Sequence, residues 1–156
     1  MAYDVNRLLT MSQRELDQLF RDSPAGDIPS GEAQGTAIIA PGTELSDIAA
    51  RFIHVFAWHG KVFDPASGTL KNLVLPDPVQ AIAAQVYKAP SWVDGKECIV
   101  LDYSKTSLVA EHIRDEIRLI APDTYLGIVF WDHDHLIDFA LQFPPPAGNT
   151  SSPVGS

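Results

Sequence analysis

The sequence predicts a mainly β protein, an antiparallel β-barrel with two or three short helices, the main ones N-terminal. Three observations carry this. Helical periodicity is confined to the early chain, in residues 12–22 and 44–57. From Trp58 onward, roughly seven short strand-like runs follow one another in hairpin order, separated by turn residues, which argues for a meander and against βαβ units. The chain has 156 residues, 46% of them hydrophobic, which suits one domain around one core. A sheet of this length removes its exposed edges most simply by closing, and an eight-stranded up-and-down barrel can hold one small ligand. The expected domain spans residues 1–143, followed by a Pro/Ser/Gly-rich disordered tail at 144–156.

The elements follow in order. SQRELDQLFRD reads as a short helix: Ser12 and Glu15 have capping-box spacing, and Leu16, Leu19 and Phe20 share a face. SPAGDIPSGEAQG reads as a Pro/Gly loop and GTAIIAPG as a short apolar strand. ELSDIAARFIHVFA is helical again, with an apolar stripe at Leu45, Ile48, Ala49, Phe52, Ile53 and Phe56. WHGKVFD and GTLKNLVLP are strands about the turn DPASG. QAIAAQVYKAPSWV and KECIVLDYS flank Asp94-Gly95, a strong hairpin signal because both residues tolerate positive φ. TSLVAEHI allows one or two helical turns. RDEIRLI, YLGIVFWD and HLIDFALQF are three successive strands, turning near APDT and His133-Asp134.

Alternate residues of a strand share a face. Leu126, Ile128 and Phe130 form one expected core set, and Ile137, Phe139, Leu141 and Phe143 another. In RDEIRLI, Arg114, Glu116 and Arg118 oppose Asp115, Ile117 and Leu119. The charged set is either solvated or lines a polar barrel interior or mouth, where it would need an ion-pair network.

The net charge of −9, from 20 acidic and 11 basic residues, argues against nucleic acid and anionic membrane surfaces as partners. No apolar run approaches the 18 or so residues of a membrane helix. MAYDVNRLLTMSQREL lacks a basic flank followed by an apolar core, so no secretion signal is expected. The single cysteine, Cys98, rules out an internal disulfide framework and sits in the apolar run CIVL, as an inert buried thiol would. A cytoplasmic location follows as the expectation.

WHGKVFD is similar to the W-x-G-K-x-F segment of bacterial and plant proteins that carry a G-x-W-x-G domain. The later order LDYSKTS, IRDEIRLIAPDTYLGIVFW and IDFALQF resembles the domain of unknown function that follows it in those proteins. The resemblance covers about residues 56–143. It departs in lacking the earlier tryptophan and glycine of the family motif and in the order Asp102-Tyr103. It implies a lipocalin-like, or calycin, barrel and brings no established activity.

Nucleotide, phosphate, zinc-finger and esterase signatures are absent. Asp132-His133-Asp134-His135 is the densest run of metal-ligand types, but it falls where a hairpin must turn, so neither a metal site nor a cofactor is assigned. Lys61 shares a strand face with Phe63. In an apolar barrel it could act as a base or a Schiff-base amine; otherwise its ammonium reaches water. Trp58 is expected to plug the barrel end. Asp102, Tyr103 and Arg114 could bind a carboxylate or enolate, or Asp102 could simply cap the next turn with Tyr103 in the core.

The leading function is a barrel that binds one small, apolar or aromatic molecule, with the early helices packed on or closing one end. Trp58, Tyr87, Tyr103, Arg114, Arg118 and Tyr125 are the candidate binding residues. The alternative is a cofactor-independent isomerase, cyclase or lyase that moves a proton through Asp102, Lys61 or Glu116. A fully packed interaction module is the third class, and a homodimer is compatible with any of them.

Overall fold

A computed structural model of the protein describes residues 3–39, 58–74, 82–104 and 112–144. Two short helices, α1 (Val5–Leu8) and α2 (Gln13–Asp22), precede eight strands. These are β1 (Gly31–Ile38), β2 (Trp58–Asp64), β3 (Thr69–Val74), β4 (Ile82–Pro90), β5 (Glu97–Asp102), β6 (Ile113–Ala121), β7 (Thr124–Trp131) and β8 (Asp134–Gln142). All neighbours are antiparallel, and β1 pairs with β8, so the sheet is a closed up-and-down barrel. The expected helix at 44–57 lies wholly outside the described residues, as do residues 106–111 of TSLVAEHI and residues 145–156 of the tail.

Local chemistry sets α2 as expected. Ser12 Oγ accepts from the Glu15 amide, and the Glu15 carboxylate accepts from the Ser12 amide, closing the capping box. β1 begins earlier than the Pro/Gly composition suggested. Gly31 to Gln34 pair with β2, and Gln34 to Ile38 pair with β8, so tertiary pairing extends the strand through the supposed loop.

The hairpin signalled at Asp94-Gly95 is present, since β4 pairs with β5, but its turn is longer than two residues. Residues 91–96 form the connection, and of these only Gly95 has positive φ, at 75°. The Asp94 carboxylate instead binds Arg118 and the Lys96 amide. The tight turn with two positive φ angles is Asp132-His133, at 48° and 78°.

Two apolar clusters divide the core. The barrel interior holds Phe63, Leu101, Ile117, Val129, Phe139 and Leu141, among others. A second cluster lies outside the sheet, where Leu8, Met11, Leu16 and Phe20 of the helical segment cover Leu126, Ile128, Phe130 and Ala140. Leu126, Ile128 and Phe130 are therefore core residues of the outer face, and Tyr125 and Val129 point inward. Arg114, Glu116 and Arg118 are not inside the barrel, and Arg114 keeps part of its side chain in solvent. They lie on its outer face, where α2 and residues 91–96 bury Glu116 and Arg118 completely.

Gly127 is the small residue that lets the Phe139 ring lie across the inner wall; a methyl there would sit within the van der Waals envelope of that ring. Gly127→Ala should lower stability by about 1–3 kcal/mol through overpacking, read by urea denaturation. Adding Phe139→Leu should recover part of that loss. An unchanged midpoint in the single variant would mean the ring moves aside freely.

Candidate functional site

Strand parity brings three polar groups into the apolar interior. Lys61 faces Ala33 across the β1–β2 pair, Asp115 stands between Leu101 and Val129, and Tyr103 follows the end of β5. Lys61 Nζ donates to Tyr103 Oη at 2.8 Å and lies 3.4 Å from Asp115 Oδ2. It also stands 5.5 Å from the Tyr103 ring centre and 5.6 Å from that of Phe139. Lys61 is 1% exposed and Asp115 0%.

This is a poorly solvated ion pair. Among the described residues, neither Asp115 carboxylate oxygen has a hydrogen-bond partner, although Lys61 is close enough for charge attraction. Burial pushes the Lys61 ammonium below its ordinary range, against the pull of Asp115. Burial pushes Asp115 above the usual carboxylate range, against the pull of Lys61. Both shifts favour the neutral forms, as expected where desolvation outweighs attraction. The arrangement places an amine, a phenol and a carboxyl within reach of one another in an apolar wall.

Other expected site residues lie elsewhere. Tyr125 is interior but belongs to an aromatic floor with Phe143 and Phe63, and its hydroxyl donates to the Asp27 carbonyl at 2.7 Å. Asp102 is turned outward, accepting from Tyr87 Oη at 2.8 Å and from the Ser104 amide at 2.9 Å, so it caps its turn. Glu116 accepts from Ser91 Oγ, the Trp92 amide and Arg114 on the outer face. Arg118 joins Asp94 in a two-point pair, both bonds at 2.8 Å, and also donates to the carbonyls of Phe20, Lys96 and Glu97. Thus Asp102, Glu116, Tyr87, Arg114 and Arg118 do not meet Lys61. Trp58 begins β2, and its side chain lies outside the description. Cys98 is buried, which pushes its thiol up to about 12 and leaves it inert.

Sequence reasoning placed Asp115 on the apolar face of RDEIRLI without reading it as a site. The signal was present: it is a lone charge sharing a face with Ile113, Ile117 and Leu119.

His135 meets Asp138 and Asp17 rather than its sequence neighbours, with the three sets of ligand atoms within 4.8 Å of one another. A histidine and two carboxylates could coordinate a cation. Here they are already satisfied: His135 binds one Asp138 oxygen, while Gln13 Nε2 donates to Asp138 at 2.7 Å and to Asp17 at 2.9 Å. Burial would lower the imidazole, but Asp138 outweighs it and raises it above its ordinary range. The cluster latches α2 onto β8. Among the described residues no helix is long and apolar enough to cross a membrane.

No family model matches the chain, and no curated protein does. A solved structure described as a protein from Thermomonospora curvata matches with a TM-score of 0.64 at 16% identity, over 86% of this chain and 89% of that one. At that identity the likeness shows the fold alone, an antiparallel barrel consistent with a lipocalin-like architecture. The narrower resemblance to domains accompanying G-x-W-x-G modules is matched by no family model.

Proposed function

We propose that the protein binds one small, largely apolar molecule inside the barrel, oriented by Lys61, Tyr103 and Asp115. The observation that supports this is the Asp115 carboxyl, fully buried with neither oxygen hydrogen-bonded. A buried polar group left in that state is expensive, and folded proteins seldom keep one without use. A ligand oxygen function placed between the three groups would satisfy them, while apolar walls bind the remainder. Small inner-wall residues beside Lys61, such as Ala33, take up little of the interior.

Native mass spectrometry of protein purified from its own cells tests the reading. The expected result is one defined small molecule per chain, released on denaturation. An apo mass, together with no saturable uptake of the apolar fluorophore 1-anilinonaphthalene-8-sulfonate by the folded protein, would overturn it.

A second reading, a cofactor-independent isomerase, cyclase or lyase, is favoured by the same triad, because two touching groups held toward neutrality can exchange a proton with a substrate. Its base and acid would be drawn from Lys61 and Asp115, since Asp102 and Glu116 face away. Turnover lost in Asp115→Asn with binding retained would separate it from the carrier reading.

A further inference from the structure

We infer that the ligand is an aldehyde or ketone and that Lys61 captures it as a covalent imine; this rests on the ligand-binding reading above. Lys61 is the one buried lysine among the described residues; Lys71, Lys88 and Lys96 are exposed. An amine attacks a carbonyl only when unprotonated, and an apolar setting keeps it so. The Tyr103 and Phe139 rings beside Nζ provide that setting.

The neighbours supply the remaining chemistry. The Lys61 nitrogen attacks the carbonyl carbon, a C–N bond forms, and the carbonyl π electrons move to oxygen. A proton passes from nitrogen to that oxygen, and Tyr103 Oη, 2.8 Å from Nζ, is placed to relay it. The resulting hydroxyl then leaves with a proton as water, and the C=N bond forms. Nothing is oxidised or reduced; one carbonyl and one amine become one imine and one water. When the imine nitrogen keeps a proton, its positive charge stands where the ammonium did, 3.4 Å from Asp115 Oδ2. That carboxylate, with neither oxygen hydrogen-bonded among the described residues, is the built-in counter-ion and hydrogen-bond acceptor. A pair meant only to hold the fold would be expected to satisfy its own acceptors.

Sodium cyanoborohydride reduces an imine to a stable secondary amine, so trapping reads the step directly. The intact protein would be incubated with cinnamaldehyde or with 2-nonanone plus the reductant, then weighed and peptide-mapped. The expected result is one adduct per chain, on Lys61, at least tenfold faster than on Lys71, Lys88 or Lys96. Tyr103→Phe should slow trapping on Lys61 by about 10²-fold while leaving trapping on the exposed lysines unchanged. The double variant Lys61→Met/Asp115→Leu, which leaves no buried charge unpaired, should lose the adduct and retain the fold. Probe uptake with Lys61 unlabelled would overturn the imine and leave the binding reading standing. Labelling spread over the exposed lysines would also overturn it. Neither uptake nor labelling would overturn both.

Discussion

Lys61→Met alone is expected to destabilise the protein by about 3–5 kcal/mol, and Asp115→Leu alone by a similar amount. Each leaves one polar group buried in an apolar interior without its counter-charge. The double variant Lys61→Met/Asp115→Leu should return close to wild-type stability or exceed it, because well-packed apolar side chains carry no desolvation penalty. Urea denaturation of the four proteins closes the cycle. Single losses that simply add in the double variant would show that the two groups are not coupled.

The pH dependence gives the sign independently. In Lys61→Met burial raises the folded pKa of Asp115 above its unfolded value, with only the Tyr103 hydroxyl left to oppose it. Stability is present below about pH 3.9, the ordinary carboxylate value, and falls as pH rises toward the folded pKa. In Asp115→Leu the lysine pKa is depressed on folding, so stability rises with pH up to about 10.4. The slopes are opposite, each at most about 1.4 kcal/mol per pH unit. Two parallel slopes would contradict the assignment.

Arg118→Met is the second large effect, with an expected loss of about 3–5 kcal/mol. The guanidinium is fully buried, stacks on the Phe20 ring at 4.6 Å and ties the end of α2 to residues 94–97. Its removal leaves the Asp94 carboxylate without its buried counter-charge and cuts the link from the Phe20 carbonyl to β6. Arg118→Lys should rescue little, since an ammonium cannot reproduce the two-point fork. Arg118 beside Asp94 holds that carboxyl down at about 2. A depressed carboxylate contributes stability above its ordinary pKa of about 3.9, and that stability disappears as pH falls through about 2. Wild type should therefore lose stability over this window by a step that Arg118→Met lacks. Urea midpoints at pH 7, 4 and 2 measure it, and an equal acid loss in both proteins would remove Arg118 as the cause.

The barrel was legible because its neighbours are mostly sequential, so turn residues and strand periodicity announce each hairpin locally. Which face of β7 lies inside was not. TYLGIVFW is apolar on both faces, and Leu126, Ile128 and Phe130 look like interior residues until α1 and α2 are seen to cover them. Gly127 was the available discriminator, since a gap on one face calls for a large partner such as Phe139.

The candidate site was legible in part. Lys61 stood out as a lysine on an apolar face, and Tyr103 was one of two readings for its position. Asp102 stands at a strand end and Glu116 in a charged set that could line the interior, yet each is one residue from an inward position, and one step in a strand reverses the face. Asp115, the carboxyl that does point inward, lay between two charges that drew attention away from it. The network at Arg118 was illegible because its acceptors are mostly backbone carbonyls of distant segments.

The β1–β8 seam sets the timetable of folding. Seven of the eight strand junctions join sequence neighbours, but this one brings Gln34 to Gln142. Hairpins form in about microseconds, whereas a contact between such remote partners must wait for loop closure. Until β8 has been synthesised and docked, the nascent sheet is an open ribbon with unpaired amides along both borders. Such borders recruit strands from other chains. The molecule is thus most vulnerable to its own kind, and most dependent on chaperones, in the interval before its last strand arrives.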